Sequence, residues 1–484
     1  MGALEGLEPK KVFRFFEEIS AIPRGSGNIK AISDYLAGFA KERELDYIQD
    51  EAGNVMIRKE ASKGYEASDP VMIQGHMDMV CEKDSQTRHD FTKDPLPLAY
   101  MDDTVFARGT TLGADDGIAI AYALAILDSP EIEHPPLECL FTTDEETGME
   151  GAKAFDYSVL KARRVINLDS EDEGIFFNSC AGGMRGSLTL PVKWSLHKGV
   201  KYKIVISGLL GGHSGETINQ YRANAILLMG RLLVEMDKKL EYRIASLQGG
   251  LMDNAIPREA SLHVHIREQD IRVLEELVRD FEKKVRNEYR ANENNLMIYC
   301  ENRGEAEEEV VKQKRQEKMV FMLNMVPNGV QKMCMEKGQE SLVQTSLNFG
   351  IMRLSEEEFT IEAALRSSIS SEKHALSEKL RLLAESLGGS YKERGDYPAW
   401  EYNGDSVMMP KLVETYQKLF GKEPVVKGIH AGLECGIIYE AMKPVDIVSF
   451  GPQINGAHTP HENLSVPSAG RMWELLLEFL KALK

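Results

Sequence analysis

The sequence predicts an α/β protein with a mixed sheet flanked by helices and an inserted α+β domain. Apolar strand-like segments alternate with helical ones up to about residue 185, a pattern typical of a sheet covered on both faces. Between 186 and 400 several strands alternate polar and apolar residues, as half-exposed antiparallel strands do. The α/β pattern returns from 401 to 484, so residues 1–185 and 401–484 are predicted to form one discontinuous domain.

The elements of the first domain follow from their apolar periodicity. Residues 9–50 are predicted to be helical, with a break rich in proline and glycine. Strands are predicted in "NVMIRK", "PVMIQG", "PPLECLFTT" and "ARRVINLD", and helices in "GIAIAYALAIL" and "EGAKAFDYSVL". The C-terminal part adds strands in "EPVVKGI" and "PVDIVSFG" and helices in "DSVMMPKLVETYQKLFG", "LECGIIYEAM" and "SAGRMWELLLEFLKAL".

The predicted inserted domain, residues 186–400, contains a sequence frame that occurs twice. "IASLQGGLMDNAIPREASLHVHI" and "QTSLNFGIMRLSEEEFTIEAAL" each run through a polar turn into an alternating strand and a helix. This similarity is compatible with an internal duplication and also with chance matching of short strand-turn-strand segments. The positions shared at a spacing of 100 residues are Ser246 and Ser346, Gly250 and Gly350, and Met252 and Met352.

The composition indicates which partners the protein is not expected to bind and in which compartment it is expected. A formal net charge of −18 over 484 residues argues against binding to nucleic acid or to an anionic membrane. The first twenty residues lack the apolar core of a signal peptide, and no segment has the length of a membrane span. The six cysteines are scattered without a CxxC pair, which favours reduced thiols and a cytoplasmic protein.

Side chains that bind metal ions recur where the predicted strands end. Strand ends of α/β sheets are where ligands collect. Each residue alone has a simpler explanation, such as a helix cap, a favourable charge at a helix start, or a loop histidine. Five such positions along one sheet are not explained in that way. They are His76 with Asp78, Asp115 with Asp116, Asp144 to Glu146, Asp169, and His458 with His461.

Imidazole and carboxylate ligands without thiolate suit Zn²⁺, Mn²⁺ or Co²⁺ in a hydrolytic site. Two divalent ions need one bridging carboxylate and about two further ligands each. His76 with Asp169, His458 with Glu146, and Asp115 as the bridge supply that set.

Two carboxylates are then left for other roles. Asp78 is expected to face the same way as His76 and to accept the second imidazole N–H. Glu145 is left free of metal, as a general base must be.

Five motifs in order resemble one metallopeptidase family. "GHMDMV", "GADDG", "DEETG", "NLDSE" and "GAHTPHE" are similar to those of the aminoacyl-histidine dipeptidases (Xaa-His or β-alanyl-histidine dipeptidases), in the co-catalytic di-zinc clan. The resemblance implies an aminopeptidase-like fold and two metal ions, most often Zn²⁺. It implies the same ligands and base as above, an orienting role for Asp78, and a cis peptide at Asp116. "GADDG" lacks the lysine common in wider relatives, and His461 matches no ligand position.

The resemblance also gives the inserted domain a role as a lid. It implies that His213, in "GLLGGHSGETI", stabilises the oxyanion, whereas a glycine-rich turn that happens to hold a histidine is the simpler alternative. Asn254 and Arg366 match substrate-binding positions, and a guanidinium pairs well with a C-terminal carboxylate. Glu434, in "KGIHAGLECG", is expected either to meet the substrate or only to complement a helix dipole.

The predicted function is hydrolysis of dipeptides, including Xaa-His and β-alanyl-histidine. The resemblance alone suggests the preference for C-terminal histidine. An amidohydrolase acting on N-acyl amino acids and a non-catalytic metal-binding relative are the alternatives. A small dipeptide is the expected partner, and the resemblance is compatible with a homodimer formed through the lid domain.

Overall fold

The computed structural model describes residues 2–336 and 338–484. Among these residues the helices are α1 Lys10–Ser20, α2 Lys30–Glu42, α3 Ala114–Leu127, α4 Glu150–Ala154, α5 Ala225–Asp237, α6 Ile271–Glu288, α7 Gln313–Met325, α8 Ser370–Ser386, α9 Met408–Phe420, α10 Cys435–Met442 and α11 Val466–Ala482.

The strands of the same residues are β1 Tyr47–Gln49, β2 Val55–Lys59, β3 Val71–His76, β4 Leu98–Met101, β5 Thr104–Ala107, β6 Leu137–Thr142, β7 Arg164–Asn167, β8 Ile175–Cys180, β9 Gly182–Pro191, β10 Trp194–Ser207, β11 Gly212–His213, β12 Tyr242–Gly249, β13 Ala255–Ile256, β14 Ala260–Ile266, β15 Met297–Val311, β16 Gly329–Met333, β17 Val343–Leu354, β18 Glu358–Ser367, β19 Ser390–Tyr397, β20 Val425–Ile429, β21 Asp446–Ser449, β22 Ile454–Asn455 and β23 Asn463–Ser465.

The chain divides into two compact units. The first comprises Met1–Cys180, Trp400–Ile429 and Leu433–Lys484, and the second comprises Ala181–Ala399 and His430–Gly432. Each unit has a hydrophobic core of its own.

The first unit is built on an eight-stranded mixed sheet in the order β1-β2-β6-β3-β7-β21-β8-β20. Its middle strands β6, β3, β7 and β21 run parallel to one another. β3 and β6 are buried along their whole length, as expected for strands covered on both faces. Helix α3 is also buried all round and packs against β3 and α1. Parallel neighbours bring the carboxyl ends of these strands to one edge, where the candidate ligands follow.

The second unit is a nine-stranded antiparallel sheet in the order β15-β10-β14-β12-β17-β18-β9-β19, with β16 paired to β17. The order is symmetric about the pair β12–β17. On one side lie the strands β10, β12, β14 and β15 with helices α5 and α6. On the other side lie β9, β17, β18 and β19 with helix α8, while α7 packs against α5 and β12. This is the arrangement that an internal duplication would produce.

The repeated glycines of the two halves meet at the centre of this sheet. A Cβ added to Gly250, whose φ is +67°, would lie 1.8 Å from the carbonyl oxygen of Gly350. A Cβ added to Gly350 would lie 2.3 Å from the carbonyl oxygen of Met252. The shared sequence frame therefore keeps two backbones in contact at a point that admits no side chain.

The elements predicted from sequence are present, but the structure differs in several places. Residues 47–49, within the stretch predicted to be helical, form the strand β1. The segment "EGAKAFDYSVL" is helical only over Glu150–Ala154, because Phe155 is extended and Asp156 caps a separate short turn by accepting from the Ser158 N–H. A four-stranded sheet, β22-β23-β5-β4, was not anticipated. Within the described residues, no helix combines the length and apolarity needed to cross a membrane.

Candidate metal centre

The candidate ligands lie at the carboxyl ends of neighbouring parallel strands. His76 is the last residue of β3, Glu146 follows β6 and Asp169 follows β7. Asp115 comes from the first turn of α3, where its peptide bond to Asp116 is cis. His458, with φ +61°, lies in the loop between β22 and β23. Five segments distant in sequence thus deliver their side chains to one place.

Asp115 lies between the two imidazoles. Its Oδ1 is 3.1 Å from Nε2 of His76, and its Oδ2 is 3.0 Å from Nε2 of His458. Glu146 approaches the same nitrogen of His458 at 3.0 Å, and Asp169 approaches Nε2 of His76 at 3.7 Å. The arrangement supplies one imidazole and one unshared carboxylate on each side of a shared carboxylate. That donor set suits two divalent cations.

The ligand atoms are close enough for shared coordination. Three groups each hold donor atoms within 4.8 Å of one another, among them Asp115 with Glu146 and His458. Another joins His76 and Asp169 with Asp116, and the third joins His76 with Glu145 and Glu146. Among the described residues, Oε1 of Glu146 is buried without a hydrogen-bond partner, as a donor reserved for an ion would be.

Buried carboxylates outnumber the positively charged side chains at this site. Burial and the charge of Asp169 raise the pKa of Asp116 well above its ordinary value. Burial also raises the pKa of Glu145 well above its ordinary value, against the attraction of His76. Hydrogen bonds to Asp115 and Glu146 raise the pKa of His458 to about 11. The carboxylates of this site therefore favour nearby positive charge, which divalent cations would supply.

Asp78 is placed to orient His76. Its Oδ1 lies 3.4 Å from Nδ1 of His76, on the opposite side of the ring from Asp115. Its carboxylate also accepts from the Ser26 hydroxyl at 2.8 Å and from the backbone N–H of Glu145 at 3.1 Å. Burial raises the pKa of Asp78, but the bond and charge of His76, together with the bonds from Ser26 and the Glu145 N–H, outweigh it and leave the pKa below its ordinary value. One fully buried carboxylate thus connects a candidate ligand with the segment that carries the candidate base.

Comparison with known protein families shows which family this chain belongs to. Residues 72–482 match the model described as "Peptidase family M20/M25/M40". The chain belongs to this peptidase family. A relative from Escherichia coli (strain K12), "Cytosol non-specific dipeptidase", is 37% identical over 99% of each chain. The predicted relationship to metallopeptidases is confirmed at the level of the family.

Solved structures support the fold of this M20/M25/M40 peptidase. The aminoacylhistidine dipeptidase of Vibrio alginolyticus matches with a TM-score of 0.92 and 35% identity, over 99% of this chain and 98% of that one. The aminopeptidase PepT of Bacillus cereus matches with a TM-score of 0.56 and 15% identity, over 99% of both chains. At that identity the second match concerns the fold alone. The predicted α/β fold class is confirmed.

Glu462 and Arg24, two buried charged residues that the sequence analysis did not single out, bind the backbone of the segments that carry the candidate ligands. The carboxylate of Glu462 accepts from four successive backbone N–H groups, those of residues 112 to 115, at 2.7, 2.9, 2.8 and 3.3 Å. The guanidinium of Arg24 donates to the carbonyl oxygens of Met77 at 3.1 Å, of Asp78 at 3.2 Å and of Gly113. Together they link three segments that carry candidate ligands.

Glu434 lies inside the first unit rather than on a surface. Its side chain is fully buried, and its Oε2 accepts from Nε2 of Gln74 at 2.5 Å and from the Thr142 hydroxyl at 2.6 Å. Burial raises its pKa to about 7. It immediately precedes α10, but its side chain makes no capping hydrogen bond. The two roles expected from the sequence, contact with the substrate or a charge that complements the helix dipole, stay predictions for Glu434.

The remaining predicted residues belong to the second unit. His213 lies on β11, where burial and the charge of Arg366 lower its pKa. Arg366 lies on β18, donates to the Tyr397 hydroxyl at 3.3 Å, and has a buried Nε without a partner among the described residues. The carbonyl oxygen of Asn254 accepts from the Ser214 N–H at 2.8 Å. A guanidinium whose charge reaches the imidazole of His213 makes this part of the second unit suitable for an anion.

Proposed function

We propose that this peptidase hydrolyses dipeptides with two divalent metal ions. The observation that carries the proposal is the placement of Asp115 between His76 and His458, with Asp169 and Glu146 on either side. These five residues would hold the ions, with Asp115 shared. When bound, the ions would polarise the scissile carbonyl and lower the pKa of water. Zn²⁺ is the metal we propose, because neutral imidazole and carboxylate donors suit it.

Glu145 is the proposed general base. Its carboxylate lies close to the donor atoms of His76 and Glu146. Because the five proposed ligands are sufficient for two ions, Glu145 is not needed as a ligand and is available as a base. Its carboxylate accepts a proton from the attacking water and returns it to the leaving amine. The bond from its backbone N–H to Asp78 fixes the segment, so the base and the imidazole of His76 are oriented by one carboxylate.

The proposed substrates are dipeptides, with Xaa-His and β-alanyl-histidine among them. Two full-length relatives support this class: one is called a non-specific dipeptidase and the other an aminoacylhistidine dipeptidase. We propose that Arg366 binds the substrate carboxylate and that His213 and Asn254 contact the substrate. We also propose a cytoplasmic location, which agrees with the name "Cytosol non-specific dipeptidase" of the Escherichia coli relative. A homodimer formed through the second unit belongs to the same proposal, and light scattering would test it.

The deciding experiment measures hydrolysis of alanyl-histidine, β-alanyl-histidine, alanyl-alanine and an N-acetyl amino acid. Chelator-treated protein is compared with protein resupplied with Zn²⁺, Mn²⁺ or Co²⁺, and with a Glu145→Ala variant. We expect dipeptide cleavage that returns with metal and is lost in the variant, whose metal content stays at two ions. Cleavage of the N-acetyl amino acid alone, or of nothing despite full metal loading, would overturn the proposal.

The role of Arg366 has a test of its own. Arg366→Ala should raise KM for alanyl-histidine and leave KM for alanyl-histidine amide nearly unchanged, because the amide has no terminal charge to pair. Arg353→Ala is the matched control, since Arg353 lies exposed on the neighbouring strand β17. Equal effects on the two substrates would remove Arg366 from the proposed carboxylate site.

A further inference from the structure

A chain of buried polar side chains crosses the sheet beneath the candidate metal centre. The Ser449 hydroxyl donates to Oδ1 of Asn167 at 2.6 Å, and Nδ2 of Asn167 donates to Oε1 of Gln74 at 2.7 Å. Nε2 of Gln74 then donates to Oε2 of Glu434 at 2.5 Å, and the Thr142 hydroxyl donates to the same oxygen at 2.6 Å. We call these five residues the buried polar chain. None is more than 1% exposed.

The members of this chain stand just before the candidate ligands. Gln74 precedes His76 by two residues on β3, and Asn167 precedes Asp169 by two residues at the end of β7. Thr142 ends β6, directly before the segment with the candidate base. β6, β3 and β7 are neighbours in the sheet, and β21, which ends in Ser449, follows β7. The buried polar chain therefore joins the ends of four strands that lead into the site.

Each of these hydrogen bonds runs toward Glu434. In each bond the amide N–H or the hydroxyl O–H donates in the direction of the Glu434 carboxylate. An ionised carboxylate can only accept. Aligned hydrogen bonds strengthen one another in a low-dielectric interior. The charge also lies close to the site, because Gln74, which donates to Glu434, precedes His76 by only two residues on β3. The end of the chain is thus an extra negative charge near the ligands.

Two simpler roles do not account for this carboxylate. Its Oε1 is buried and has no hydrogen-bond partner among the described residues, and its side chain caps no backbone N–H of α10. It belongs to none of the groups of donor atoms that the described residues could offer to a metal ion. A buried carboxylate with an unpaired oxygen is costly unless nearby positive charge offsets it. Two cations held by the adjacent ligands would provide that charge.

We propose that Glu434 is a positioning residue, which fixes the ends of β6, β3 and β7 through Gln74 and Thr142 and strengthens cation binding by its charge. This inference rests on the proposed di-metal function. It assigns to Glu434 neither a metal bond nor a substrate contact. The charge, rather than the packing, is what the metal centre requires of this residue.

The test compares Glu434→Gln with wild type and with Glu138→Gln. The amide oxygen of the introduced glutamine can still accept from Gln74 and Thr142, so the variant removes the charge and keeps the shape. Glu138 is a matched control because it is a buried carboxylate on the same strand as Thr142, where it pairs with Arg58 and accepts from the Ala162 N–H. Binding of Co²⁺ is followed by its visible absorption and by competition with a chelator.

We expect wild type and Glu138→Gln to bind two Co²⁺ with similar affinity, and Glu434→Gln to bind about 10- to 100-fold more weakly. In Zn²⁺-loaded protein, kcat should fall in Glu434→Gln while KM stays near the wild-type value. Equal Co²⁺ affinity in wild type and Glu434→Gln, or equal weakening in both variants, would overturn the inference. Failure of wild type to bind two ions would instead overturn the proposed function, so the two failures are distinguishable.

Discussion

The carboxylate of Asp115 connects the two imidazoles of the site, with Oδ1 3.1 Å from His76 and Oδ2 3.0 Å from His458. Burial raises the pKa of Asp115, but the bonds from the two histidines outweigh it and hold the pKa below its ordinary value. An ionised carboxylate with one oxygen on each side is suited to shared coordination. Loss of this one side chain should therefore affect both ions together.

Asp115→Asn should leave at most one tightly bound ion per chain, because an amide offers one neutral oxygen in place of two charged ones. Activity should fall by at least about 1,000-fold, since the shared charge that assembles the site is lost. Metal content measured by elemental analysis, together with dipeptide hydrolysis, checks this prediction. Two tightly bound ions in the variant would show that Asp115 is not shared.

His458→Ala should weaken the binding of one ion and leave the binding of the other nearly unchanged. His458 contacts Asp115 and Glu146, whereas His76 contacts Asp115 and Asp169. Titration with Co²⁺ should give one tight site and one weakened by more than about 100-fold. His461→Ala is the control, because His461 is exposed three residues away and matches no ligand position. Similar losses in both variants would contradict the assignment of His458.

Glu462→Gln should destabilise the protein and weaken metal binding. In place of one carboxylate oxygen, the variant puts an amide NH₂ against backbone N–H groups at the start of α3. The lost charge-assisted bonds should cost about 2 kcal/mol or more in the free energy of unfolding. Co²⁺ affinity should fall as well, since Asp115 lies in the same turn. The control variant Glu138→Gln should lose stability and keep its Co²⁺ affinity. Equal Co²⁺ affinity in wild type, Glu462→Gln and Glu138→Gln would show that Glu462 does not support metal binding.

The fold and the ligand types could be predicted from the sequence because both are local signals. Largely apolar strands such as β3 and β6 indicate a covered sheet, and the histidines and carboxylates at or after their ends indicate a site. Glu462 and Arg24 could not be predicted. The bonds of Glu462 span about 350 residues of sequence, and its neighbours in the chain carry no sign of them. The burial of Glu434 could not be predicted either, because a glutamate before a helix usually lies at the surface.

The central pair of glycines gives a prediction for stability alone. Gly350→Ala should lower the free energy of unfolding by about 3 kcal/mol, since the new methyl group would meet the backbone of Met252 and Asp253 at 2.3–2.4 Å. Gly38→Ala is the control, because Gly38 lies within α2 and a methyl group there meets nothing within 4 Å. That change should be neutral or stabilise by up to about 1 kcal/mol. Urea unfolding measures both variants. An unchanged free energy of unfolding in Gly350→Ala would show that the two backbones at the centre of the sheet can move apart.

Glu434 should make the stability of the metal-free protein depend on pH. Burial raises its pKa in the folded state to about 7, from an ordinary value of 4.5. Below pH 4.5 the folded and unfolded states both hold the proton, and the group contributes nothing. As the pH rises toward 7, the unfolded chain releases this proton and the folded chain keeps it. The folded state binds more protons in that window, so the free energy of unfolding falls as the pH rises.

The size and the measurement of this effect follow from the same linkage. Above about pH 7 both states are ionised, and the full loss of about 3 kcal/mol is reached. Glu434→Gln has no proton to release, so chelator-treated variant and wild type should differ by about 2–3 kcal/mol more at about pH 8 than at about pH 5, in favour of the variant. Urea unfolding at the two pH values measures this difference. A difference that does not change with pH would mean that the carboxyl of Glu434 titrates alike in the folded and unfolded states, and its burial would then carry no electrostatic cost for bound cations to offset.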